Sequence, residues 1–97
     1  MHALWTTFTL GPGTSQTAQK IGEQWSHILK SFNGFKSVTF IADDSSGEYA
    51  GLSLWETKED AEAALAETDA KVQQQIGSIA TGPVTRKIYE VRRVIEA

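Results

Sequence analysis

A chain of 97 residues with 40% hydrophobic and 22% charged side chains has room for one domain and one core. Cysteine is absent, which excludes disulfides, thiolate metal sites and cysteine nucleophiles and fits a reducing, cytoplasmic setting. No apolar run approaches the roughly 18 residues of a membrane span, and Met1 to Trp5 lacks the basic and apolar regions of a signal peptide, so neither membrane insertion nor secretion is expected. The formal charge of −3 conceals a split: Asp43 to Asp69 holds nine acids against Lys58 alone, whereas Arg86, Lys87, Arg92 and Arg93 face only Glu90. Such segregation is the pattern either of two solvated faces or of charge complementarity between two copies of the chain.

Leu4-Trp5-Thr6-Thr7-Phe8-Thr9-Leu10 alternates large apolar residues with threonine, the period of a strand, and Gly11-Pro12-Gly13 ends it. From about Ser15 to Phe32 the period changes, with Ala18, Ile21, Trp25, Ile28, Leu29 and Phe32 on one helical face before Asn33-Gly34 stops the helix. Lys36 to Asp44 and Glu48 to Glu56 read as two strands joined by a three-residue hairpin loop, Ser45-Ser46-Gly47. That loop sets Ala42 opposite Ala50, Phe40 opposite Leu52 and Val38 opposite Leu54 on one sheet face. Thr57-Lys58-Glu59-Asp60 has capping-box spacing and opens a second helix from about Lys58 to Ile79, with Ala61, Ala64, Leu65, Thr68, Val72, Ile76 and Ile79 as its apolar stripe. Gly82-Pro83 breaks it, and Val84 to Ile95 is a β-branched last strand. The order β-α-β-β-α-β is the ferredoxin-like plan, an α+β domain over residues 1–97. Right-handed crossovers give a four-stranded antiparallel sheet in the order 4-1-3-2 with both helices on one face.

Two helices leave the other face open. By the hairpin register above, this face carries Trp5, Thr7 and Thr9 with Tyr49, Gly51, Ser53 and Trp55, too aromatic for a solvated sheet. The expectation is a homodimer in which Trp5, Thr7, Tyr49 and Trp55 meet a second copy, with the basic last strand beside the acidic hairpin of its partner. RNA-recognition domains also stack bases on such a face. Net negative charge and the lack of any basic residue on the first and third strands speak against nucleic acid as a partner.

Three stretches carry a family resemblance: the first strand running into Leu10-Gly11-Pro12-Gly13, the Asn33-Gly34-Phe35 end of the first helix, and Leu52-Ser53-Leu54-Trp55-Glu56-Thr57-Lys58-Glu59-Asp60-Ala61. Together they resemble the antibiotic-biosynthesis-monooxygenase-like group of dimeric α/β barrels over nearly the whole chain. The resemblance implies a homodimer whose two sheets form a barrel, with a small-molecule pocket in each subunit between sheet and helices. Members include cofactor-free oxygenases of aromatic polyketide phenols and heme-degrading oxygenases. The heme-degrading branch uses an Asn, a Trp and a His where this chain has Thr6, Ala64 and Gln74. His27, on the polar side of the first helix, supplies no substitute axial ligand.

A phenol-oxygenating pocket needs no metal and no cofactor. Thr6, Trp25, Phe40 and Ala64 are its candidate lining, and no strong acid or base stands out among the helix-facing positions as a general base. The expected function is therefore a small-molecule-binding barrel acting as a cofactor-independent monooxygenase on an aromatic or quinol-type substrate. The alternative is a non-enzymatic ligand-binding or accessory barrel of the same build. Gly11-Pro12-Gly13 lacks the further residues of a nucleotide loop, and the histidines lack metal-ligand spacing.

Overall fold

The computed structural model describes residues 1–97. Strand β1 is His2–Thr9, helix α1 Ser15–Lys30, β2 Phe35–Asp43, β3 Glu48–Trp55, α2 Lys58–Gln75 and β4 Thr85–Glu90. The strands form one antiparallel sheet in the order β2-β3-β1-β4, which is 4-1-3-2 read from the other edge. Neither helix is long and apolar enough to cross a membrane. Helix α2 starts where the Thr57 hydroxyl accepts a hydrogen bond from the Asp60 N–H at 3.1 Å, with Glu59 and Asp60 in the first turn where the helix dipole favours acids. Helix α1 has no side-chain cap, because the Thr14 hydroxyl donates instead to the Gly11 carbonyl at 2.7 Å.

The hairpin departs from the expected register, and the cause is one carboxylate. The Asp43 Oδ1 accepts from the Ser45 N–H at 3.1 Å, from the Ser45 hydroxyl at 2.6 Å and from the Ser46 N–H at 3.4 Å. Gly47, in the left-handed region with φ of 74°, sends its N–H to the Asp43 carbonyl at 2.8 Å. These bonds close the turn on the pair Asp43–Glu48, so that the loop has four residues instead of three. A one-residue change of register exchanges the two faces of a strand. Ala42 therefore lies opposite Tyr49, Phe40 opposite Gly51 and Val38 opposite Ser53. Tyr49, Gly51, Ser53 and Trp55 turn toward the helices, and Ala50, Leu52 and Leu54 take the open face.

This corrects the expected dimer face. Trp55 is 0% exposed and Tyr49 is buried, both inside the subunit. The Trp55 ring meets Phe35 and Phe32 edge-on, at centroid distances of 5.6 and 6.5 Å, and packs in a cluster with Leu4, Leu29, Ala61 and Ala64. Its indole N–H donates to the Ser53 hydroxyl at 2.9 Å, so the polar edge of the ring is satisfied where it is buried. A second cluster joins Leu10, Ile21, Trp25, Tyr49, Val72 and Ile76. Trp5 and Thr7 do lie on the open face, opposite Leu52 and Ala50. That face also presents Ile41 and Tyr89, both exposed, and stays apolar with a different set of residues.

The helices and the last strand are shorter than their apolar patterns. After Lys30 and Gln75 the chain continues as turns, with Phe32 N–H on the Leu29 carbonyl and Ala80 N–H on the Ile76 carbonyl. Strand β4 ends at Glu90 because β1, its only neighbour, has already reached its own start: His2 faces Glu90. One further bond, Val91 N–H to the Met1 carbonyl at 3.0 Å, is the last that the sheet offers.

Candidate functional site

Between α1 and the sheet lies an open cavity of about 910 Å³. Two glycines lie in its lining. Gly51 on the floor and Gly22 on the helix bracket the Phe40 ring: a Cβ at Gly51 would stand 3.2 Å from that ring, and one at Gly22 3.5 Å from it. With no side chains there, the Phe40 ring fits between Gly22 of α1 and Gly51 of the sheet. The exposed lining residues are Ser15, Gln19, Glu23 and Lys30 on α1, Ser37, Phe40, Ile41 and Ala42 on β2, and Asp44 in the hairpin loop, so the mouth opens between α1 and that edge strand.

One charged side chain sits deep in this apolar surface. Arg86 lies opposite Thr6 on β4, and its side chain is 6% exposed. Its Nε donates to the Thr6 hydroxyl at 3.2 Å, and its Nη1 lies 3.5 Å from Oδ1 of Asp69 on α2, a carboxylate that is itself 49% exposed. Burial pushes the guanidinium pKa below its ordinary value while Asp69 pushes it back up, and an arginine stays charged under either influence. Thr6 receives the Nε hydrogen, which leaves its own hydroxyl hydrogen for another acceptor. Thr6 and Arg86 thus place hydrogen-bond donors and a positive charge on the cavity floor.

Deeper in the lining, the polar groups of Trp25 and Tyr49 are already engaged. The Trp25 indole N–H donates to Gln75 Oε1 at 3.2 Å, and Gln75 in turn donates to Gln24 Oε1 at 2.8 Å, which ties α1 to α2. The Tyr49 hydroxyl is 3.0 Å from the Thr14 hydroxyl. Since Thr14 gives its hydrogen to the Gly11 carbonyl, which can only accept, the Tyr49 hydrogen goes to Thr14. The site therefore suits an aromatic ligand that brings an oxygen acceptor, anionic or carbonyl, to Arg86 and Thr6.

Of the four residues expected to line a pocket, Thr6, Trp25 and Phe40 share this cavity. Ala64 does not: it is buried against Leu4 and Trp55 in the neighbouring cluster. His27 is exposed, and no three His, Asp or Glu side chains gather as metal ligands. Arg86 is the residue that sequence reasoning missed, having been grouped with the basic end of the chain. The available signal was parity, since Val84, Arg86 and Ile88 alternate with Thr85, Lys87 and Tyr89, and the first set is the more buried.

No protein-family model matches the sequence, and no curated protein matches it either. Solved structures do. A monooxygenase of Streptomyces coelicolor, ActVA-Orf6, in complex with nanaomycin D, superposes with a TM-score of 0.78 at 18% identity, over 99% of this chain and 91% of that one. SnoaB, a cofactor-independent oxygenase of Streptomyces nogalater, gives 0.77 at 13% identity, over 99% and 97%. The fold is that of the antibiotic-biosynthesis-monooxygenase-like proteins. The same fold occurs in a protein of unknown function from Nitrosomonas europaea, at a TM-score of 0.78, 11% identity and coverage of 99% and 93%. Likeness to antibiotic-biosynthesis-monooxygenase-like proteins is thus a likeness of fold, and the chemistry of the cavity rests with the residues in it.

Proposed function

We propose that this protein is a cytoplasmic, homodimeric, cofactor-independent oxygenase acting on an aromatic phenol or quinol-type substrate in the cavity under α1. The observation that carries the reading is Arg86, a buried cation on an otherwise apolar floor of ligand size. A phenol or enol oxygen beside a fixed positive charge ionises more readily, by roughly 1–3 pKa units for a neighbour within hydrogen-bonding range. The resulting carbanion character is what dioxygen requires. In an anthrone-type substrate the activated methylene carbon bonds to one oxygen atom, the O–O bond breaks, and the methylene becomes a carbonyl. The second oxygen leaves as water with the two methylene hydrogens, and the substrate supplies all the electrons. The two Streptomyces structures described as a monooxygenase and a cofactor-independent oxygenase support the reaction class. The open face of the sheet, with Trp5, Thr7, Leu52 and Leu54, supports pairing with a second copy.

The test is a thermal-shift series with anthrones, quinols and hydroxyanthraquinones, followed by an oxygen electrode on any binder. A ligand at 100 times its Kd adds about 2.7 kcal/mol, a rise in Tm of at least about 10 °C for a domain of this size. Oxygen uptake with the binder, lost in Arg86→Gln, is the expected result. Binding without oxygen uptake identifies a non-enzymatic barrel, and no shift with any compound overturns the cavity as a ligand site.

A further inference from the structure

Ser53 on β3 is a buried hydroxyl, 4% exposed, whose oxygen has a structural purpose and whose hydrogen has none. The Trp55 indole N–H donates to its Oγ at 2.9 Å, which satisfies the indole. The hydroxyl still has one hydrogen of its own to give. The acceptor that the subunit offers is the Leu4 carbonyl at 3.4 Å, longer than the roughly 2.5–3.0 Å of an O–H···O bond. A buried donor without a well-placed acceptor is costly. This one lines the same cavity as Thr6 and Arg86, and the indole that donates into its oxygen polarises it as a donor in turn.

Register fixes where the hydroxyl stands relative to the cation. Leu4 lies opposite Ser53 and Thr6 opposite Gly51, so Thr6 and Ser53 are diagonal neighbours on the inner face, about 7–8 Å apart between their Cα atoms. Gly51 puts no side chain between them, and the Phe40 ring borders the gap. Arg86 lies on the other side of Thr6. The floor therefore offers donors at two points, Arg86 with Thr6 at one and Ser53 at the other. An aromatic ring with an oxygen on each of two opposite carbons bridges such points.

We propose that Ser53 is a catalytic residue, the donor to the oxygen that arrives on the reacting carbon. This rests on the oxygenase reading above and adds to it the group that faces the chemistry. Ionisation beside Arg86 puts negative charge on the ring carbon opposite the ionised oxygen, which in an anthrone is the methylene carbon. The electron pair of that carbon forms the bond to dioxygen and gives a peroxide anion. Loss of the remaining C–H proton lets its electron pair form the carbonyl as the O–O bond breaks, and the departing hydroxide takes up a proton to leave as water. Ser53 donates a hydrogen bond to the oxygen that stays on carbon, first in the peroxide and then in the carbonyl, and keeps its own proton throughout.

The experiment compares substrate with product. Kd is measured for an anthrone, without dioxygen, and for the anthraquinone bearing the same hydroxyls, on the full chain, Arg86→Gln and Ser53→Ala. The full chain is expected to hold the quinone about three- to tenfold more tightly than the anthrone, since only the quinone brings an acceptor to Ser53. Arg86→Gln weakens both ligands. Ser53→Ala abolishes the preference, leaves the anthrone Kd unchanged, and lowers kcat at least about tenfold at unaltered KM. Because that change leaves the Trp55 indole N–H without an acceptor, Ser53→Ala/Trp55→Phe, which removes both partners together, carries the same comparison where the single variant fails to fold. Equal binding of the two compounds by the full chain, or a preference that survives loss of the hydroxyl, overturns the role of Ser53 and leaves the cavity as the ligand site. A full chain that binds neither compound overturns the oxygenase reading, and the role of Ser53 with it.

Discussion

Replacing Arg86 with methionine, which keeps an unbranched apolar stem and removes the charge, should leave the protein as stable as before or more so while abolishing ligand recognition. At 3.5 Å from Asp69, the gross attraction is about 5 kcal/mol at an effective dielectric constant of 20. Solvent reaches half of Asp69 and lowers that figure. Withdrawing the guanidinium from water costs several kcal/mol in the opposite sense, so the pair contributes close to nothing net. Apolar replacements of fully buried pairs gain about 1–4 kcal/mol, and the half-exposed partner puts Arg86→Met at the bottom of that range, from zero to about 1 kcal/mol. For a domain of this size that is a rise in Tm of up to about 4–8 °C. Thermal unfolding followed by circular dichroism, with and without a binding hydroxyanthraquinone, gives both quantities. Asp69→Asn should go the other way, losing about 1 kcal/mol because a buried cation is left without its counter-charge. If Arg86→Met instead lowered Tm by 8 °C or more, with Asp69→Asn harmless, the arginine would be a structural member and its place on the cavity floor would lose its functional meaning.

Trp55→Phe should cost about 1–3 kcal/mol in denaturant unfolding and leave dimer dissociation unchanged, because the indole is wholly internal; a weaker dimer with unaltered stability would mean that the ring faces outward after all. Thr57→Ala should cost about 1 kcal/mol through loss of the α2 cap, read as a fall in Tm of about 4–8 °C. The Ser45 hydroxyl and then the Ser46 N–H hold the Asp43 carboxyl below the usual aspartate range, against the opposing effect of desolvation. A pKa lowered on folding contributes stability that is present above the unfolded value and lost as pH falls through the folded one. A pH titration of Asp43 by NMR should therefore show a midpoint below that of free aspartate, returning upward in Ser45→Ala, and an unshifted midpoint would remove the carboxylate from control of the turn.

The element order was legible in the sequence because periodicity changes sharply at Gly11-Pro12-Gly13, Asn33-Gly34 and Gly82-Pro83. What periodicity does not carry is the count of residues in a turn. Ser45-Ser46-Gly47 satisfies a three-residue loop, yet the Asp43 carboxylate organises Asp44 into it as well, and every side chain of β3 changes face. Tyr49 and Trp55, large and amphipathic, fit either face by composition, so nothing local exposed the error. Thr6, Trp25 and Phe40 share the cavity because each lies on an apolar face whose direction did not depend on that turn. Ala64 was placed in the same site because it is small where α2 crosses the sheet, although Leu4 and Trp55 fill the space it faces. Arg86 was hidden by its neighbours: in a run of bases, charge suggests water, and only alternation against Ile88 gives the inward direction.

The three turns at one end of β1 also bear on how the chain can be altered. Leu10 N–H bonds to the Gly47 carbonyl and Thr81 N–H to the Thr9 carbonyl, both at 2.8 Å, and a Cβ on Gly47 would stand 1.8 Å from the Gly11 carbonyl oxygen. A hairpin tip is ordinarily the first choice for inserting a peptide or grafting a loop, since exposed tips tolerate added residues. Here the tip is docked on the turn that starts α1, so a graft between Asp44 and Gly47 would displace the helix that roofs the cavity. Gly82, where an added Cβ meets nothing within 4 Å, is the position at which this scaffold accepts cargo.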